Sequence, residues 1–478
     1  MSNLTTSPAG RRILALLDEN SFVEIGAEVR ARSTDFTVDQ GESKPGDGVI
    51  TGYGSIEGAL VYVFSQDSSA FGGSVGEMHA RKITRLYELA MKTGAPVIAL
   101  LDSTGIRINE STDALFALGS VYASQADLSG VAPQIAAVFG ECGGGLSLIA
   151  ANADFTFMES AKGKLFVSSP DSIEGNYEEK LDTSSASYQA EWGSVDVVAE
   201  GEDALIAKIR ELIPFLPSNF ETEAYNGDAS DDLNRISADM SSCAKDTVLA
   251  LQRIADDNVF YELGNAYAKS MVTGFIRLNG ATVGAIANRG AITKEDGKTE
   301  DLKQVLTVHG AQKAADFVNF CDAFNIPILT LTNVNGFCNC PGNPKHMSQA
   351  ASRLLMAFAG ATVPRVNVIV GEAFTSAALL MNSKSTGSDY TYAWSGAKIG
   401  AIDGKHAADI LFDGKDASEK KEKAAAYDEL QASSASAAAR GYVDTIIDPA
   451  ETRKYVVGAF EMLFSKDIAA PDKKHGTH

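Results

Sequence analysis

Short apolar runs alternate with stretches of helical period along this chain. Val61–Gln66 and Pro96–Leu101 are compact, mostly apolar runs, the pattern of strands buried on both faces. Between them, Gly76–Thr93 places Ile83, Leu86, Leu89 and Ala90 at helical spacing. Ala114–Gly130 is predicted as a second helix and Gln134–Phe139 as a third buried strand. Gly130 to Met158 is apolar enough to suggest a membrane span. Its Pro133, Gln134, Glu141, Asn152, Asp154 and central glycine cluster point instead to a strand, a tight turn and a buried helix over Leu146–Ala153. Apolar strands separated by helices predict an α/β fold with helix-covered sheets.

The pattern occurs twice. Lys82 and Lys313, Gly105 and Gly336, Pro133 and Pro364, and Gly140 and Gly371 are each 231 positions apart. Thr51-Gly52-Tyr53 meets Thr273-Gly274-Phe275, and Phe22-x-Glu24-x-Gly26 meets Phe260-x-Glu262-x-Gly264. Order is kept while loop lengths differ, as in an internal duplication. The polar stretch 217–245 lacks an apolar period, so the halves are expected at 1–230 and 231–478.

Composition narrows the function classes. The 478 residues suffice for two domains with sizeable cores. A net charge of -21 argues against a nucleic-acid or anionic-membrane surface. The five cysteines are odd in number and scattered, which predicts reduced thiols. Cys338-Asn339-Cys340 has no second pair at finger-like spacing, so no metal site is expected. Ile13–Leu17 is too short for a secretory core, and a soluble cytoplasmic protein is expected, with room for docking to a membrane complex.

Candidate chemistry lies in glycine turns. Gly143, Gly144 and Gly145 follow a buried strand and open a helix, where free N–H groups can hold a developing oxyanion. Tight packing alone is the other reading. Gly72 and Gly73 form a second turn after the strand ending near Gln66, and could supply a converging donor. Ser103, Thr104 and Gly105 close the next strand. Arg107 or Lys82 could meet a coenzyme A phosphate, or be ordinary surface cations. There is no complete dinucleotide fingerprint, P-loop or HExxH. His79, His309, His346 and His406 are isolated, and no acid–base pair of carboxylates stands out. Such an enzyme would rely on backbone donors and on a base carried by its substrate.

Residues 46–82, 95–108 and 129–158 resemble the core blocks of biotin-dependent acyl-CoA carboxyltransferases, and so do 268–290, 313–337, 357–374, 391–403 and 437–453. That family includes propionyl-CoA carboxylase β-subunits and decarboxylase α-subunits of the methylmalonyl-CoA type. The resemblance implies an α/β fold of two tandem crotonase-like domains. It implies carboxyl transfer between a coenzyme A thioester on the first half and biotin on the second. Biotin would arrive on a separate carrier protein, since no Met-Lys-Met motif is present. It also implies a homo-oligomer, dimer or hexamer, with sites at subunit interfaces. A membrane decarboxylase subunit or a biotin carboxylase would be a further partner.

By position, Gly144 and Gly145 would serve the thioester oxygen, with Gly72, Gly73, Lys82, Ser103, Thr104, Gly105, Arg107 and Gly143 around the acyl-CoA. Thr375 and Ser376 would serve the biotin ureido oxygen, beside Gly336, Phe337, Phe374 and Ala377. The family usually has two glycines where Thr375-Ser376 stand. The terminal Lys473-Lys474-His475-Gly476 resembles the decarboxylase α-subunits and favours that branch. The alternatives are the β-subunit of an ATP-driven carboxylase, a biotin-independent crotonase-type decarboxylase or hydrolase, and a non-catalytic scaffold.

Overall fold

The computed structural model describes residues 3–34, 45–222, 229, 231–294 and 296–468; the 473–476 tail lies outside them. The chain divides into two units, Met1–Ala224 and Tyr225–His478, within the polar stretch noted above.

The first unit is built on one eight-stranded sheet. Its strands are β1 (Val23–Ile25), β2 (Val49–Ile56), β3 (Ala59–Gln66), β4 (Val97–Ser103), β5 (Gln134–Gly143), β6 (Phe155–Glu159), β7 (Lys164–Phe166) and β8 (Val197–Ala199). They run in the order β1-β2-β3-β4-β5-β6-β8, with β7 paired to the end of β5. β1, β2 and β3 pair antiparallel, and from β3 onward the sheet is parallel. Helices α1 (Pro8–Leu16), α2 (Glu77–Thr93) and α3 (Ser111–Leu128) bury their apolar sides, as Ile13, Ile83, Leu86 and Leu118 illustrate.

The second unit repeats the plan with β9 (Phe260–Leu263), β10 (Met271–Leu278), β11 (Ala281–Asn288), β14 (Ile328–Val334), β15 (Arg365–Phe374), β16 (Tyr390–Trp394), β17 (Lys398–Gly400) and β18 (Thr445–Ile447). Their order is β9-β10-β11-β14-β15-β16-β18, with β17 paired to the end of β15. A separate ribbon, β12 (Ala291–Thr293) with β13 (Thr299–Asp301), interrupts the repeat. Leu329, Leu331, Val366 and Val368 pack with Leu251 and Ile254 on one side of this sheet.

Hydrogen bonds confirm the duplication residue by residue. Asp102 N–H donates to Gln66 Oε1 at 3.1 Å, and Asn333 N–H donates to Asn288 Oδ1 at 3.1 Å. Gln134 N–H donates to Asp154, and Arg365 N–H to Asp389. Lys82 Nζ donates to the carbonyls of Gly46 and Val49, while Lys313 Nζ donates to those of Gly264, Tyr267 and Met271. Burial draws the Lys82 ammonium down to about 8. This lysine ties loop to strand inside each half, so the sequence-based expectation of a phosphate contact at Lys82 does not fit its placement.

Gly130–Met158 is strand, turn and helix α4 (Ser147–Ala151), and among the described residues no helix is long and apolar enough to cross a membrane. Cys338 and Cys340 are joined by a disulfide, contrary to the expectation of thiols throughout. Their two-residue spacing sets the Cα atoms 5.4 Å apart, within bridging range. Cys142, Cys243 and Cys321 are free and buried.

His79 on α2 is wholly buried, with Nδ1 3.0 Å from the Asp47 carbonyl. Burial, reinforced by Arg107, lowers it from 6.5 to about 3. A depressed histidine contributes stability above pH ~6.5 that is lost as pH falls toward ~3, at about 1.4 kcal/mol per pH unit. Urea unfolding at pH 7.5 and 5 should therefore cost the wild type about 2 kcal/mol more than His79→Gln; equal losses would contradict a neutral buried imidazole.

Candidate active site

β3, β4 and β5 are parallel neighbours, so the loops at their C-terminal ends meet along one edge of the first unit. The turn through Gly72 and Gly73 follows β3. Thr104 N–H donates to Gly72 O at 3.0 Å, joining this turn to the loop after β4. A Cβ at Gly73 would lie 2.3 Å from the Asp102 carbonyl, so only glycine fits there. Its own N–H donates to Ala70 O at 3.0 Å and is not a free donor. Gly73 is thus a packing glycine, and Gly72, at φ +63, lies against the Thr104 side chain, whose Oγ1 is 3.0 Å from where a Cβ would stand. Ser103 is buried and its Oγ accepts from Gly105 N–H at 3.2 Å, shaping the loop.

Arg107 is also buried. Nη1 pairs with Asp47 at 2.5 Å and Glu110 at 2.8 Å, and Nη2 donates to Ser74 O at 2.7 Å. Its guanidinium lies 4.7 Å from the Phe71 ring centroid. Arg107 therefore clamps the 71–74 turn from inside, and like Lys82 it offers no free cation to a phosphate. That expectation failed because an arginine on a loop reads the same whether it faces water or a buried carboxylate. For the lysine a signal existed: Lys82 and Lys313 recur in both halves, although only one half was assigned to coenzyme A.

β5 ends at Gly143, whose Cβ position is filled by the Phe166 ring. Gly144 then takes φ +60, and the chain enters α4. The positive φ reverses the backbone within one residue, and amides opening a helical turn precede any intrahelical acceptor. Gly145 is exposed, while its carbonyl is held by the Tyr122 hydroxyl. Ser147 Oγ donates to Gly144 O at 2.7 Å.

The second unit has the same construction. β15 ends at Phe374, Thr375 takes φ +63, and the short helix Thr375–Leu379 follows. A β-branched residue in that region is strained, yet it reproduces the conformation of Gly144. Thr375 Oγ1 accepts from Ala377 N–H at 3.2 Å and sits beside Gly336. The neighbouring loops match too. Val75 N–H donates to Gly105 O at 2.9 Å and Arg107 N–H to Val75 O; Leu306 N–H donates to Gly336 O at 2.8 Å and Cys338 N–H to Leu306 O. Phe374 and Ala377 are buried core side chains and Phe337 is half-buried, whereas Ser376 is exposed. Thr375 and Ser376 line a cavity of about 870 Å³, together with Thr332, Asn367, Ile399 and Arg440. Among the described residues no cluster of three or more His, Cys, Asp or Glu is placed to hold a metal.

Two matched strand-to-helix turns, each presenting amides at the C-terminal edge of a parallel sheet, are what oxyanion stabilisation requires. Residues 8–478 match the carboxyl transferase domain. The chain belongs to that family of enzymes. It is 38% identical to the propionyl-CoA carboxylase beta chain of Roseobacter denitrificans, over 98% of this chain and 92% of that one. It is 37% identical, with the same coverage, to the methylmalonyl-CoA decarboxylase subunit alpha of Veillonella parvula. The transcarboxylase 12S structure, a hexamer with hydrolysed methylmalonyl-coenzyme A bound, superposes with a TM-score of 0.91 at 34% identity, covering 98% of this chain and 92% of that one. The crotonase-like, two-domain fold expected from the sequence is therefore the fold of this carboxyltransferase.

The two glycines of the first unit should respond differently to substitution. A Cβ at Gly144 meets nothing within 4 Å, so Gly144→Ala should cost only backbone strain, about 1–3 kcal/mol. Gly73→Ala should cost more in urea unfolding, because the Asp102 segment must move; the reverse order would contradict the assigned roles.

Proposed function

We propose that this carboxyltransferase moves a carboxyl group between a short-chain acyl-CoA, of the methylmalonyl-CoA and propionyl-CoA type, and biotin on a separate carrier protein. The matched backbone at Gly144 and Thr375 carries the reading. Two chemically similar oxyanions need two similar sets of donors, and a duplicated turn supplies them. The names of the relatives, and the methylmalonyl-coenzyme A in the transcarboxylase structure, support this substrate class.

The first half takes the thioester. Amides of the Gly144–Gly145 turn, with Gly72 opposite, hold the thioester oxygen as it becomes an enolate. One such donor is worth about 3–4 kcal/mol. Neither Lys82 nor Arg107 takes part in binding, because both cations are already engaged inside the fold. The second half takes biotin: the cavity beside Thr375 and Ser376 is mostly apolar-walled, with polar groups at the turn, which suits a neutral bicyclic head. Biotin would supply the carboxyl carrier, and its ureido nitrogen would give its proton to the α-carbon as it takes up the carboxyl, or take the α-proton back in the reverse direction. The chain's own part is to hold one negative oxygen at each turn and to shield it from water.

We further read the enzyme as an oligomer with each site completed by a neighbouring copy, dimeric or hexameric. The decarboxylase branch, docked through a membrane subunit, is our preferred assignment over the ATP-driven carboxylase. Purified protein incubated with methylmalonyl-CoA and free biotin should yield propionyl-CoA and carboxybiotin. Ser376→Trp should abolish that transfer while leaving acyl-CoA binding by calorimetry intact. A wild type inert toward every short-chain carboxylated acyl-CoA, or a Ser376→Trp variant with undiminished transfer, would contradict the proposal.

A further inference from the structure

Thr330, Asn367 and Thr391 stand side by side across β14, β15 and β16. At the same places in β4, β5 and β6 the first half has Ala99, Ala136 and Thr156, in the same register. Thr332 likewise occupies the place of Leu101. The second half thus carries polar side chains in the middle of a parallel sheet where the first half is largely apolar. Buried polar groups left unsatisfied cost about 1–3 kcal/mol each.

Most of these groups satisfy one another. Thr332 Oγ1 donates to Asn367 Oδ1 at 2.8 Å, and Thr330 Oγ1 donates to the same oxygen at 3.1 Å. Asn382 Nδ2 donates to Thr330 Oγ1 at 3.1 Å. Two groups are left over. The Asn367 amide nitrogen has no acceptor among the described residues, and Thr391 Oγ1 is buried without a partner. The matching hydroxyl of the first half, Thr156 Oγ1, donates to Ala150 O at 3.0 Å. Thr332, Asn367 and Thr391 all line the cavity that opens beside Thr375 and Ser376.

We infer that Asn367 and Thr391 are specificity-determining residues that select a neutral amide-like or ureido head group in this cavity. No charged side chain belongs to the row itself, and of the two cations lining the same cavity Lys384 is paired with Asp444 and Arg440 donates to the Leu430 carbonyl; the row therefore offers a neutral head hydrogen bonds but gives a buried ionic group no counter-charge. The surrounding Ile369, Ala373 and Ile399 favour an apolar body around that head. Asn367 contributes a donor, and Thr391 a hydroxyl able to donate or accept. The inference rests on the reading that the second half takes biotin.

Thr391→Val is isosteric and removes a hydroxyl with no protein partner, so the fold should be as stable or more so. Asn367→Asp keeps the oxygen that accepts from Thr330 and Thr332 but loses the amide donor. In the methylmalonyl-CoA assay with free biotin, KM for biotin should rise roughly tenfold in Thr391→Val, and in Asn367→Asp if it folds. KM for methylmalonyl-CoA should stay unchanged. A folded Thr391→Val with wild-type KM for biotin overturns the inference while leaving the function standing. If the wild type transfers no carboxyl to biotin, the functional reading fails. Saturation-transfer NMR with biotin then decides the cavity: weaker binding to Thr391→Val supports the role of Thr391, and equal or absent binding overturns it.

Discussion

In each half, a long parallel strand stops at a residue of left-handed backbone and passes at once into a short helix. Gly144 at φ +60 and Thr375 at φ +63 mark those two points. The reversal leaves the next amides without intrahelical acceptors and sets them at the edge of the sheet. Much of the surrounding structure holds that edge in place. The loop after β4 is stitched to the 71–76 segment, and the loop after β14 is stitched to Leu306, by the same pair of backbone hydrogen bonds. Catalysis by such amides needs little motion at the moment of reaction, because the donors are fixed by the fold itself.

The two halves brace this common frame with different chemistry. Under the first, Arg107 draws Asp47 and Glu110 into a buried ionic cluster and carries the Phe71 ring above it. At the corresponding place in the second stands Cys338, tied to Cys340. The sheet interiors diverge as well: Ala99 and Ala136 answer to Thr330 and Asn367. A duplicated fold can keep its backbone donors while the side chains around them diverge.

The duplication was legible in the sequence because glycine, proline and lysine landmarks recur at a constant offset: the glycines and prolines constrain the backbone, and each lysine ties a loop to a strand. Strand and helix positions followed from apolar period, and the strands proved longer at their ends: β5 runs to Gly143, beyond the predicted Phe139. Hydrophobicity fades there because the ladder continues into the site, where side chains give way to glycine. The place of Arg107 was not legible, and that of Lys82 was hinted at only by its recurrence as Lys313. Their roles depend on Gly46, Val49, Asp47 and Glu110, partners brought to them only by the tertiary fold. The left-handed Thr375 was hidden for a different reason: local preference opposes that conformation for threonine, and the matching strand-to-helix turn overrides it.

The central claim is that main-chain amides of the 144–145 turn, and no side-chain cation, hold the thioester oxygen. Cryo-electron microscopy of the assembled protein with methylmalonyl-CoA bound tests it directly. The account predicts the thioester oxygen within about 3 Å of an amide nitrogen of that turn. A thioester oxygen held instead by a lysine or arginine side chain, with the turn facing solvent, would contradict it.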